Sequence, residues 1–80
     1  MKTIHVRYYA MLREERGAAT ETIRTAARTV AELYGELRRR HGLSWPRGKI
    51  KFAVNDDLKG QRAGVQAGDT VSFLPPVAGG

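Results

Sequence analysis

The chain has 80 residues, 14 Lys or Arg against 8 Asp or Glu, a formal charge of +6 and no cysteine. That length supports one domain with a single modest core, and the lack of cysteine excludes disulfides, thiolate metal sites and cysteine nucleophiles. No apolar run approaches the roughly 18 residues that a spanning helix needs, and the alternating start Met1–Val6 has no apolar signal region, so a cytoplasmic protein without a membrane partner is expected.

Lys2 to Ala10 alternates. Ile4, Val6, Tyr8 and Ala10 fall on one face and Thr3, His5, Arg7 and Tyr9 on the other, the period of a half-buried strand. Met11 to Arg16 is polar, helix-favouring and short, and Gly17 closes it, which reads as one helical turn or a loop. Thr20 to Thr25 is rich in β-branched residues, with Ile23 as its core contact; a hairpin with the first strand is the simplest pairing. Thr29-Val30-Ala31-Glu32 has capping-box spacing: the Thr29 hydroxyl accepts from the Glu32 N–H, and the Glu32 carboxylate accepts from the Thr29 N–H. Val30, Leu33, Tyr34 and Leu37 follow as one apolar stripe. Arg38 to His41 put positive charge in the last turn, and Gly42 closes the helix. Gly35 costs about 1 kcal/mol relative to Ala inside a helix, which a close approach to the sheet would explain.

From Arg38 to Lys51 there are six Lys or Arg, with His41, and no acid. Such a stretch suits an acidic partner, a nucleotide or RNA, and equally a solvated face. Trp45 alone does not supply the interleaved aromatics of a single-strand binder, so nucleic acid is not an expected partner. Leu43 to Gly48 is a loop around Trp45-Pro46. Ile50, Phe52 and Val54 then alternate with Lys49, Lys51 and Ala53 in a strand. Asn55-Asp56-Asp57 is a turn rather than a metal site. Leu58 to Gln66 is loop-like with room for one short strand, and Gly68-Asp69 turns the chain again. Thr70 to Leu74 is the last strand, with Val71 and Phe73 on one side and Ser72 and Leu74 on the other.

One amphipathic helix therefore has one mixed sheet to cover, an α+β domain. The first and last strands belong to different halves of the chain and can lie parallel and central, the ubiquitin-like β-grasp. This domain spans residues 1–74. Residues 75–80, Pro75-Pro76-Val77-Ala78-Gly79-Gly80, form a tail. The prolines end the strand and send the chain off extended, and Gly79 and Gly80 bring no side chains. Such an end can pass through a narrow channel and present its carboxylate to another protein's active site, or it is a frayed terminus of the kind most domains have. His5 and His41 have no cysteine or paired carboxylate beside them, so the chain holds no legible catalytic constellation and no metal site.

Four stretches resemble the small, sulfur-carrying subunits of molybdopterin synthase: Val6–Ala10 with Leu12-Arg13-Glu14, Thr29–Leu33, Phe52–Asn55, and Gly68–Gly80. The last is the specific one, joining Gly-Asp, an apolar strand, Pro-Pro-Val, a small residue and Gly-Gly. The resemblance implies that an E1-like adenylating enzyme uses ATP to activate Gly80, that a sulfur donor protein converts it to a thiocarboxylate, and that the large subunit uses the sulfur to build the dithiolene of molybdopterin. Gly79 then serves access, and Pro75, Pro76, Val77 and Ala78 serve reach. Residues matching Tyr9, Leu58 and Leu74 contact the large subunit in that family. The chain is then a non-catalytic subunit with no permanently bound cofactor. It departs from the family in its strong basic charge and in the polar run Lys59–Gly64. A sulfur carrier for thiamine or tRNA thiolation, a ubiquitin-like protein modifier joined through Gly80 to lysine, and an RNA-binding module with an incidental tail remain as alternatives.

Overall fold

A computed structural model describes residues 1–76 of the chain. Its elements are β1 (Lys2–Tyr8), α1 (Ala10–Arg16), β2 (Thr20–Thr25), α2 (Val30–His41), a 3-10 turn (Arg47–Lys49), β3 (Lys51–Val54), β4 (Asp57–Lys59) and β5 (Thr70–Leu74). The five strands form one sheet in the order β2-β1-β5-β3-β4. β1 and β2 make the expected antiparallel hairpin, β1 and β5 are parallel, and β3 is antiparallel to both β5 and β4. The first and last strands are thus parallel neighbours, as their periodicities and separation in the chain predict.

The register puts the core residues of β1, β2, β3 and β5 on one face. Ile4 pairs with Ile23, Val6 with Val71, Tyr8 with Phe73, and Phe73 in turn with Phe52. The α2 stripe Val30, Leu33, Tyr34 and Leu37 is buried with them in one core cluster. At its centre Tyr34 meets Phe73 and Phe52 edge-on, with ring centroids 5.1 and 5.9 Å apart, the orientation that sets a ring's positive edge on a neighbour's negative face. The Tyr34 hydroxyl, carried into this apolar setting, donates to the Trp45 carbonyl at 2.6 Å.

A helix start leaves four amides without internal partners. Three of them are satisfied from outside the helix ladder: Val30 N–H donates to Ala63 O, Ala31 N–H to Gln61 O and Glu32 N–H to the Thr29 hydroxyl, after which Leu33 N–H to Thr29 O opens the internal ladder. The irregular segment after β4 thus caps α2. The capping box differs from expectation in one arm: the Glu32 carboxylate accepts from Arg28 N–H at 3.0 Å, one residue beyond Thr29. Gly17 and Gly42 close α1 and α2 in the left-handed region, at φ 81° and 66°.

Other departures have local causes. β1 stops at Tyr8, and Ala10 opens α1 at φ 50°, so it leaves the strand's buried face. Residues 10–16 form a full short helix because Leu12 is wholly buried and ties it to the core. Thr25 joins Ile23 inside; its hydroxyl donates to Glu36 at 2.6 Å and accepts from Ala27 N–H at 3.0 Å, so it is buried without an orphaned group. A Cβ on Gly35 would meet only the Arg39 side chain at 3.7 Å, so the glycine does not mediate an approach to the sheet.

Candidate docking face and tail root

Parallel pairing of β1 and β5 fixes where the candidate residues lie. One residue beyond the Tyr8–Phe73 pair, Tyr9 and Leu74 stand at the same end of the sheet. Tyr9 is extended, its carbonyl accepts from the Leu12 and Arg13 amides, and its side chain is 41% exposed. The left-handed turn at Ala10 redirects the chain immediately after it. Leu58, 70% exposed, sits on β4 opposite Ala53, which is opposite Ser72. Leu74 is half-buried and pairs with Lys51.

These pairings put Leu58, Ala53, Ser72, Leu74, Lys51 and Arg7 on the sheet face away from α2. Arg7, Lys51 and Leu58 are exposed there, whereas Ala53 and Ser72 are buried although alternation places them outside. Both are small and flanked in register by longer side chains, Ser72 by Arg7 and Ala53 by Leu58. Arg7 also reaches across β5 to Asp56 in the β3–β4 turn, 3.7 Å away.

β5 ends at Leu74, as the two prolines require; Pro75 is buried and Pro76 exposed. Gly48, Lys49 and Lys51 face Leu74, Pro75 and Pro76 across a groove of about 470 Å³. A second depression of about 270 Å³ runs from Lys51 to Leu58, Lys59 and Gln61. The two share Lys51. The structure therefore gathers Tyr9, Leu74, Pro75 and Pro76 at one pole and sets Leu58 across Lys51 from them. Val77, Ala78, Gly79 and Gly80 lie outside the described residues.

The basic stretch divides. Arg38 donates to the Leu43 carbonyl at 3.1 Å and Arg40 pairs with Glu36 at 2.9 Å, both at the end of α2, whereas Lys49 and Lys51 wall the tail root. Lys59 opens the polar run Lys59–Gly64 noted in the sequence, but its place beside the depression is not legible there, because β4 is three exposed residues without a pattern.

A second polar cluster organises the other edge of the sheet. The Glu21 carboxylate accepts from Arg16 Nε at 2.9 Å and from the Tyr8 hydroxyl at 3.0 Å, and lies 3.2 Å from His41 Nε2. Burial alone would raise its pKa, but the hydrogen bonds from Arg16, His41 and Tyr8 outweigh that and hold it below the usual carboxylate value. Burial, followed by the charge and hydrogen bond of Glu21, pushes the Tyr8 phenol up. Tyr8 and Glu21 are on paired strands, Arg16 ends α1 and His41 ends α2, so this cluster is a structural clasp. His41 takes the structural role its helix-end position suggested, and His5 is exposed beside Thr22.

The sheet order, the helix across one face and the central parallel pair make this a ubiquitin-like β-grasp protein. The ThiS family model matches residues 6–80, and the chain belongs to the ThiS family. The Homo sapiens molybdopterin synthase sulfur carrier subunit is 35% identical over 82 residues, covering 96% of this chain and 93% of the human protein. A chain of the Helicobacter pylori complex of subunits 1 and 2 of molybdopterin-converting factor is 29% identical and superposes with a TM-score of 0.66, covering 98% of this chain and 99% of that one. Small archaeal modifier protein 1 of Haloferax volcanii gives a TM-score of 0.80 at 21% identity, covering 96% of this chain and 100% of that one, a likeness of fold alone. The resemblance carried by Gly68–Gly80 and the three shorter stretches agrees with the first two.

Proposed function

We propose that this chain is the sulfur-carrier subunit of a molybdopterin synthase. The observation that carries the reading is the placement of the tail root. Leu74-Pro75-Pro76 leaves the central strand beside exposed Tyr9, with exposed Leu58 in the adjoining depression across Lys51, and the sequence continues into Val77-Ala78-Gly79-Gly80. The 35% identity to a human protein of that function supports the assignment over nearly the whole length.

A carboxylate is a poor acyl donor. An E1-like adenylating enzyme joins a Gly80 carboxylate oxygen to the α-phosphorus of ATP, and pyrophosphate departs. Sulfide sulfur, delivered by a donor protein, adds to the carbonyl carbon, and AMP leaves with its oxygen. The thiocarboxylate is nucleophilic at sulfur and passes it to the pterin precursor in the large subunit, where the dithiolene forms. Gly80 has no Cβ to obstruct attack at its carbonyl. The chain supplies reach and the reacting terminus, the large subunit supplies the catalytic groups, and ATP is consumed without a permanently bound cofactor. The setting is the cytoplasm.

The test is the intact mass of the chain after incubation with the adenylating enzyme, ATP and sulfide, with fragmentation to locate the change. Exchange of one oxygen for sulfur at Gly80, absent when Gly80 is deleted, is the expected result. Sulfur transfer to the pterin precursor on adding the large subunit separates this reading from other sulfur carriers. Conjugates through lysine without thiocarboxylate would assign the chain to protein modification instead.

A further inference from the structure

The tail-root groove has an electrostatic character that the carrier chemistry does not require. Lys49 and Lys51 wall it on the side facing Leu74 and Pro76, and Lys51 and Lys59 frame the adjoining depression beside Leu58. All three lysines are exposed, and none has an acidic partner within ion-pair distance among the described residues. Six of the chain's eight acids are engaged elsewhere: Glu21 with Arg16, Glu36 with Arg40, Glu15 with Ser44, Glu32 with Arg28 N–H, Asp69 with Asn55, and Asp56 with Arg7. Leu58, Leu74 and Pro75 give the two depressions apolar surface, and Lys59, opposite Phe52 in register and so on the other side of β4 from Leu58, borders them from the sheet edge.

An apolar surface with charges at its margin is the anatomy of a protein interface, in which the core sets residence time and the rim sets encounter. RNA would instead need a series of stacking faces; Phe52, in the adjoining depression, is 1% exposed, and Tyr9, 41% exposed at the same pole, offers a single one. Three separate flexible ammonium groups suit separate carboxylates on a facing surface. We propose that Lys49, Lys51 and Lys59 form a cationic rim that meets Asp and Glu side chains on the large subunit and steers it onto the tail root. The proposal rests on the molybdopterin-synthase reading.

Stopped-flow association of the full chain with the purified large subunit, in a series of sodium chloride concentrations, tests it. Four chains are compared: the natural one, Lys49→Gln/Lys51→Gln/Lys59→Gln, the same three positions changed to Arg, and a chain lacking Gly80. Steering predicts that the natural association rate falls with salt and that the triple Gln chain associates about tenfold more slowly at low salt with a flattened salt slope. Its dissociation rate changes by less than about threefold, since rim charges act on encounter. The triple Arg chain restores the rate, and a thermal melt of the triple Gln chain matches the natural one.

An unchanged association rate and salt slope in the triple Gln chain overturns the proposal, as does a loss carried wholly by dissociation. So does salt-sensitive binding of a uridine oligonucleotide that the Gln changes abolish while large-subunit association is untouched; that result assigns the lysines to nucleic acid. If the natural chain acquires sulfur at Gly80 and binds the large subunit but the lysines are indifferent, only the rim falls. If the natural chain does not bind the large subunit at all, the molybdopterin reading falls and the rim's occupant with it.

Discussion

Asn55 and Asp56 turn the chain between β3 and β4 with φ of 51° and 72°, the two left-handed residues of a tight hairpin turn. Asn55 does more than turn. Its side chain donates to Asp69 and accepts from Thr70 N–H, both at 3.0 Å, binding this turn to the one that launches β5. Asp56 has only the 3.7 Å contact with Arg7, in which the carboxylate is 84% exposed. The exposed pair is worth at most a few tenths of a kcal/mol, less than the relief of a left-handed backbone, so Asp56→Gly should raise stability by about 0.5 kcal/mol. Asn55→Ala should lower it by about 2 kcal/mol, since two hydrogen bonds and a residue type suited to that φ are lost together. Urea unfolding of the two variants measures both. Glu21 gives a pH dependence of defined sign. Its folded pKa lies below the ordinary 4.5, so its stabilisation is complete above that value and is lost as pH falls through the folded pKa. Glu21→Gln should be less stable at neutral pH and should lose less stability than the natural chain on acidification from pH 5 downward, as denaturant midpoints across that range will show.

At the scale of elements, α2 carries the fold and also its removable costs. Its stripe is buried, the amides of Val30, Ala31 and Glu32 are capped and its end is closed by Gly42, yet Gly35 sits in the interior without a steric reason. Gly35→Ala should raise stability by about 1 kcal/mol in a thermal or urea melt. Much of this element was legible in advance because helix period, cap residues and closing glycine all speak locally. The strands were legible for the same reason, their alternation naming the core face of β1, β3 and β5. Alternation does not say what shades the other face, and Ala53 and Ser72 were missed as buried for that reason. The start of α1 at Ala10 was missed because a left-handed alanine has no sequence signal, and the Glu21 clasp because it joins four elements through register alone. The candidate site was legible as residue types, Tyr9, Leu58, Leu74 and the tail. The grouping of Lys49 and Lys51 with Leu74 required the β3–β5 register.

For the whole molecule, a polar clasp on one edge and an apolar, lysine-rimmed groove on the other let stability and the proposed docking be tested apart. Leu58→Asp changes a side chain that is 70% exposed, so the thermal midpoint should stay near that of the natural chain while affinity for the large subunit falls at least about tenfold. Leu74→Asp should weaken the complex similarly, with some loss of stability because Leu74 is half-buried. Calorimetric melts and binding isotherms on the same preparations separate the two effects. If affinity is unchanged in both variants, Leu58 and Leu74 lie outside the docking face.

The position of β5 has a mechanical consequence. It is held on one side by four registered pairs to β1 and on the other by four to β3. A strand pulled along its length loads its cross-strand hydrogen bonds together, because they run at a steep angle to the pull, whereas one lifted from an edge gives way rung by rung. Traction on the chain beyond Leu74 therefore meets both ladders at once in shear. A terminus gripped tightly by a partner can be drawn out again with the domain acting as an intact handle.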